Sequence, residues 1–166
     1  LRICTHEKPH TLRFTSPILM WGRFMAFYVI SSTSTGYTVA DSSSDYLLQD
    51  GNYIGSTGNG ISASGANSGN SFIINGVIAS GRTGIFLGVD SGFNRIVVGQ
   101  TGVITGDYAA IESDFDTSLL LTNHGILQGG GYGIFTYGYA WVLNTGEISS
   151  NTHAVRAAEG GDIENS

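Results

Sequence analysis

The chain has 166 residues, 41% of them hydrophobic and only 12% charged, with 25 glycines, two prolines and one cysteine. Thirteen acids against seven lysines and arginines give a net charge of −6, without the cationic clusters that phosphate backbones demand, so nucleic acid is not an expected partner. One cysteine cannot form a disulfide within the chain, and no run reaches the roughly 18 uninterrupted apolar residues of a membrane-spanning helix.

Composition breaks near residue 24. Both prolines (Pro9, Pro17), the cysteine (Cys4), the single lysine (Lys8) and three of the six arginines lie before it. After it, Arg82, Arg95 and Arg156 stand against twelve acids, a formal charge of −9. Residues 1–24 therefore read as a non-native upstream leader, with Met25 as the natural start. A signal peptide fits less well, because Arg23 interrupts the apolar stretch over 17–30 and no small-x-small cleavage site follows. Residues 25–45 read as short strands joined by Ser/Thr-rich turns, an N-terminal cap for the repeats that follow.

From residue 46 to 166 the chain repeats. Ile54/Ile61, Ile78/Ile85, Ile104/Ile111, Leu127/Ile134 and Ile148/Val155 are aliphatic pairs with a fixed internal spacing of seven, while successive pairs lie 24, 26, 23 and 21 residues apart. A period in this range predicts stacked coils, each burying its apolar face against its neighbours: an all-β, right-handed, single-stranded parallel β-helix of about five coils. Leu48, Phe72, Val98, Leu121, Val142 and Ile163 form a further column six positions before the reference aliphatic residue. Gly76, Gly102, Gly125 and Gly146 form one two before it, and Gly60, Gly84, Ala110, Gly133 and Ala154 one six after it. Small columns mark bends where a side chain would collide with the next coil.

Four positions before the reference residue stand Asp50, Gln100, Asn123, Asn144 and Asn165, with Asn75 displaced by one. Stacked amides hydrogen-bond from coil to coil, so this column is expected to be a structural ladder. Length varies between the blocks, at residues 64–69, 88–95, 114–118 and 137–139, which places any binding site along that edge.

Four groups carry possible chemistry. Asp114 and Asp116, with Glu112 and Asp90 nearby, are the densest acids and a weak metal candidate, since tight calcium sites need six to eight oxygens. Tyr132, Phe135, Tyr137, Tyr139 and Trp141 form an aromatic run; with strict alternation its last four would share a face suited to stacking on sugar rings. A turn near residues 137–139 breaks that parity and favours packing instead. Ser62, Phe86, Glu112, Phe135 and Arg156 are expected to line the outside of one sheet, with the acid and the base two coils apart. Arg82 with Asp107 and Tyr108 is the best group for a lyase-like base and its acidic neighbours. His124 and His153 fall in different columns and make no metal pair. No catalytic residue is assigned.

The opening Met25-Ala-Phe-Tyr-Val-Ile30, the segment Tyr46-Leu-Leu-Gln-Asp-Gly-Asn-Tyr-Ile54, and units such as Asn123-His-Gly-Ile-Leu127 and Asn144-Thr-Gly-Glu-Ile148 resemble the N-terminal solenoid region of bacterial secreted haemolysin-type (RTX) calcium-binding proteins. The resemblance covers residues 25–166. Similar degenerate repeats occur in autotransporter passengers and polysaccharide lyases. It implies an extracellular, non-catalytic structural or adhesin-like segment. Calcium is implied only for a C-terminal region beyond residue 166, because Gly129-Gly-Gly-Tyr-Gly133 and Gly160-Gly-Asp162 lack the Gly-Gly-x-Gly-x-Asp pattern. The alternative is a carbohydrate-active β-helix that binds or cleaves an acidic polysaccharide. Carbohydrate or a cell-surface protein is the expected partner. Because Gly161-Asp-Ile-Glu-Asn-Ser166 opens a coil without finishing it, the chain is also expected to be a truncated product that self-associates through its open C-terminal end.

Overall fold

Tyr46, Phe72, Ile96, Leu121, Val142 and Ile163 stand one above another in paired positions of parallel strands, and all but Ile163 are buried. The computed structural model describes residues 26–39, 41–64, 69–88 and 92–166. The expected leader over residues 1–24, Met25 and Asp90 lie outside the described residues.

Five complete coils of three strands follow one another. The first is β3 (Asp45–Leu48), β4 (Tyr53–Ser56) and β5 (Ile61–Ala63). The second is β6 (Ser71–Ile74), β7 (Val77–Ser80) and β8 (Thr83–Leu87). The third is β9 (Phe93–Val98), β10 (Val103–Gly106) and β11 (Ala109–Ser113). The fourth is β12 (Ser118–Asn123), β13 (Ile126–Gly129) and β14 (Tyr132–Thr136). The fifth is β15 (Ala140–Asn144), β16 (Glu147–Ser150) and β17 (His153–Ala157), after which β18 (Gly161–Asn165) opens another. First strands stack as sheet A, second strands as sheet B and third strands as sheet C, all parallel. No helix occurs among the described residues, and so none long and apolar enough to cross a membrane.

Residues 26–39, expected as part of a cap, form a partial coil in the same register. β1 (Phe27–Ile30) pairs with β3, Thr33 bridges to Ile54, and β2 (Tyr37–Thr38) pairs with β5, each in parallel. Alternation in β1 sends Tyr28 and Ile30 inward, where Tyr28 stacks on Tyr46 at 5.1 Å and Tyr46 on Phe72 at 5.3 Å.

The reference column is the core of sheet B: Ile54, Ile78, Ile104, Leu127 and Ile148 pair in sequence. Their seven-residue partners pair likewise in sheet C, from Ile61 to Val155. Every member of both columns is fully buried except Ile148 and Val155 in the last coil, which are half-buried. Each fully buried Ile or Leu contributes about 1.5–3 kcal/mol relative to exposure.

The column expected six positions before the reference residue needs a correction. Leu48 pairs with Ile74, and Ile74 with Val98, whereas Phe72 pairs with Tyr46 and Ile96. The corners after β3 and β9 each carry two extra residues, so length varies between sheets A and B as well as on the expected edge. The glycine column is steric. A methyl on Gly102 would lie 2.2 Å from the Ile74 carbonyl oxygen, and one on Gly125 or Gly146 would meet the preceding coil's carbonyl at 2.2 Å.

Candidate functional site

The corner between sheets A and B holds the amide ladder in the C-terminal half only. Asn123 Nδ2 donates to Asn144 Oδ1 at 2.7 Å, and Asn144 Nδ2 donates to Asn165 Oδ1 at 2.6 Å. Asn123 is fully buried and Asn144 nearly so. Asp50 and Gln100 do not belong to it: they are exposed in the two longer corners, and their place in the column is taken by Leu48, Ile74 and Val98. Three apolar layers thus give way to three amide layers.

A second ladder escaped the sequence reading. Asn70 and Asn94 are buried at the corner that leads into sheet A; Asn70 Oδ1 accepts from Ser44 N at 3.1 Å, and Asn94 Oδ1 from Asn70 N at 3.2 Å. Ser44, Asn70 and Asn94 each stand two positions before the inward Tyr46, Phe72 and Ile96. Counting backwards from that column, rather than forwards from the preceding strand, finds them.

The aromatic run divides at Gly138. Tyr132, Phe135 and Tyr137 lie on the outside of sheet C, where Tyr108 and Phe115 from the preceding coil join them. Tyr132 stacks on Phe135 at 4.8 Å and Phe115 on Tyr137 at 4.2 Å, while Tyr108 meets Phe135 edge-on at 6.0 Å. Tyr139 and Trp141 instead face outward on sheet A, 4.3 Å apart, with Phe93 6.5 Å from Trp141. The turn breaks the alternation, so the five residues make two surfaces and not one platform.

On sheet C, Ser62, Phe86, Glu112, Phe135 and Arg156 occupy one paired column. Phe135 separates Glu112 from Arg156. The Glu112 carboxylate is nearly buried and accepts a 2.7 Å hydrogen bond from Thr83 Oγ1. The Arg156 guanidinium lies over Phe135 and Tyr132, 5.3 and 5.8 Å from the centroids, and donates to the Tyr132 hydroxyl at 3.1 Å. Burial, then the nearby Glu112 charge, raises the Tyr108 phenol above its ordinary pKa. Phe115 is 57% exposed and Tyr108 37%, so this surface reaches solvent.

Tyr108 N donates to Arg82 O at 2.7 Å, whereas Asp107 N donates to Ser80 O at 3.3 Å. The Arg82 guanidinium lies over Phe86, 5.6 Å from its centroid. Asp114 and Asp116 sit in a turn, where Asp114 Oδ1 accepts from Phe115 N at 2.8 Å and Asp116 has φ of 58°. Glu112 points away from them into the Thr83 contact, and no group of three metal-ligating side chains occurs among the described residues. His124 bonds Thr145, whereas His153 stacks on Tyr132.

Hollows mark the outer surface of the described residues. A groove of about 540 Å³ follows the corner between sheets B and C over three coils, lined by Thr105, Asp107, Gln128, Ser149, Ser150, Asn151 and glycines. A smaller hollow of about 300 Å³ lies on sheet A, between Leu120, Trp141, Leu143, Asp162 and Glu164.

No protein-family model, curated protein or solved structure matches this chain. The function must be read from these surfaces.

Proposed function

We propose that the chain is a non-catalytic scaffold and contact segment of a larger exported protein, of the haemolysin-type or adhesin-like kind, with its contact face on the outside of sheet C. The observation that carries this is the aromatic surface of Tyr108, Phe115, Tyr132 and Tyr137, packed over the buried Phe135, which spans two neighbouring coils and is flanked by Arg82 and Arg156. Tyr132 and Phe135 are set on β14, and Tyr108, Phe115 and Tyr137 in the adjoining corners pack against them or against each other; rings already packed together lose little entropy on binding, and aromatic and arginine side chains supply most hot-spot energy at interfaces. Carbohydrate and cell-surface protein both offer surfaces that such rings accept. Calcium, in this proposal, belongs to residues beyond this segment.

A catalytic reading draws its support from the corner that gathers Arg82, Asp107 and Tyr108. Against it, Arg82 is held over Phe86, and Glu112 is buried in a hydrogen bond.

The test combines glycan-array and cell-surface binding with an assay for unsaturated uronate product. Binding without product, weakened at least tenfold by Tyr108→Ala together with Phe115→Ala, supports the contact face. Product formation abolished by Arg82→Ala would replace it with the lyase reading. Binding unaltered by the aromatic substitutions would remove it.

A further inference from the structure

We propose that the groove at the corner of sheets B and C is a separate binding site for a neutral, hydroxyl-rich glycan lying along the solenoid axis. Outward positions of three paired strands form its wall: Thr105 on β10, Gln128 on β13 and Ser149 on β16. Parallel strands repeat at about 4.8 Å, so a polar side chain recurs at roughly the repeat of an extended sugar chain. Asp107 and Asn151 add a second row where the chain turns toward sheet C.

The chemistry of this lining suits hydroxyls. Gln128 and Asn151 each offer a donor and an acceptor, Ser149 either role, and Asp107 an acceptor. Among the described residues, none of these four side chains makes a hydrogen bond within the protein. Ser150 lines the same groove, and its Oγ is buried without a partner. The equivalent serine three coils earlier, Ser80, donates to Thr105 O of the following coil at 3.1 Å, a neighbour that β16, the terminal strand of sheet B, does not have.

Charge narrows the class. Asp107 is the single ionised residue in the lining, and no Lys or Arg is present. A uronate or sulfated chain would meet repulsion with nothing to offset it, whereas a neutral chain would not. A peptide would gain little, since it binds through a free strand edge or apolar pockets, and this groove runs across paired strands. Tyr108 follows Asp107 directly and Tyr132 stands two residues after Gly130, so a sugar in the groove has the aromatic face beside it. The groove adds to the proposed contact face and stands or falls without it.

The experiment is calorimetric titration of the full chain with neutral hexasaccharides of the β-1,4-glucan, β-1,3-glucan and mannan types, with oligogalacturonate as the charged comparison. Variants are Gln128→Ala/Asn151→Ala, the groove-filling Ser149→Trp, and Tyr108→Ala/Phe115→Ala. The expected result is binding of at least one neutral chain, no competition from oligogalacturonate, and at least tenfold weakening by either groove variant at unchanged melting temperature. Failure of every neutral chain to bind overturns the proposal, as does binding that survives both groove variants. Weakening by the aromatic pair alone would place the glycan on the contact face and remove the groove; weakening by the groove variants alone supports the groove and leaves the contact face to its own test. A melting temperature lowered by the groove-filling variant shifts the decision to the Gln128→Ala/Asn151→Ala pair, whose exposed or partly exposed side chains make no contact the fold depends on.

Discussion

Single methyl groups decide how tightly these coils stack. A Cβ on Gly84 would lie 2.3 Å from Ile104 Cγ2 and 2.5 Å from the Ala110 carbonyl oxygen, and Gly60 and Gly133 face Ile78 and Ile148 in the same way. Ala110 is tolerated in this column where the following coil supplies Leu127, which has no Cγ2 branch. Gly84→Ala is therefore expected to destabilise by about 1–3 kcal/mol, the usual cost of overpacking. Adding Ile104→Leu should restore part of that loss, leaving the carbonyl contact. A double-mutant cycle by urea denaturation measures the coupling, and strict additivity would show that the branch is not the obstacle.

A second residue-scale prediction concerns ionisation. The Tyr28 hydroxyl donates to the Asp41 carboxylate, and this bond, aided by partial burial and the Asp41 charge, pushes its pKa from 10.0 to about 12. The fold thus favours the protonated phenol. Its contribution is full below about pH 10 and is lost as pH rises through about 12. Ultraviolet titration of the eight tyrosines should show a late-ionising component that Asp41→Asn moves to lower pH. An unchanged titration would remove the bond from consideration.

At the scale of strands, the amide ladder and the apolar layers are alternative fillings of one column, Leu48, Ile74 and Val98 below and Asn123, Asn144 and Asn165 above. Asn144→Ala removes the closest acceptor of the buried Asn123 Nδ2, which keeps its longer bonds to Glu147 O at 3.1 Å and Gly125 O at 3.4 Å, and the donor to the exposed Asn165, and should cost about 1 kcal/mol. Replacing all three amides by valine should recover much of this, because the lower coils already hold aliphatic residues there. Melting temperatures of the single and triple variants check the order; a triple variant worse than the single would mean that the amides also set the corner, through bonds such as Gly125 N to Asn123 Oδ1 at 3.2 Å.

The same column explains what the sequence did and did not reveal. The sheet B and sheet C cores were legible because seven residues always separate Ile54 from Ile61 and its successors. Tyr46 and Leu48 are both inward and apolar and lie two residues apart, so a two-residue insertion at the corner preserves the inward face. Hydrophobic pattern detects a slip of one residue and is blind to a slip of two. That blindness put Asp50 and Gln100 into the ladder and concealed Asn70 and Asn94 behind the variable loops. The aromatic surface was half legible: Tyr108 and Phe115 come from the coil before, and sequence distance hid them from Tyr132 and Phe135.

Over the whole molecule, burial fades toward one end. Ile148 and Val155 are only half-buried, β18 is exposed along its length, and Ile163 is 54% exposed at the top of a column that is otherwise buried. Strands β16, β17 and β18 are the terminal strands of their sheets on this side, so each presents unpaired backbone groups. Repeat proteins open from such ends, and amide hydrogen exchange should be fastest in β16–β18 and slowest in β9–β14. The same surface is expected to drive self-association of the isolated chain. Glu147, Glu159, Asp162 and Glu164 outnumber Arg156 at this end, so two copies meeting end to end repel at low ionic strength and associate more strongly as salt screens them. An isologous contact of this kind closes at a dimer. Sedimentation equilibrium across a salt series should show a monomer–dimer equilibrium that strengthens with salt and weakens in Ile163→Ser combined with Val155→Ser. A monomer at every concentration and salt level would refute the contact, and association that salt weakens would place it on a different, charge-paired surface.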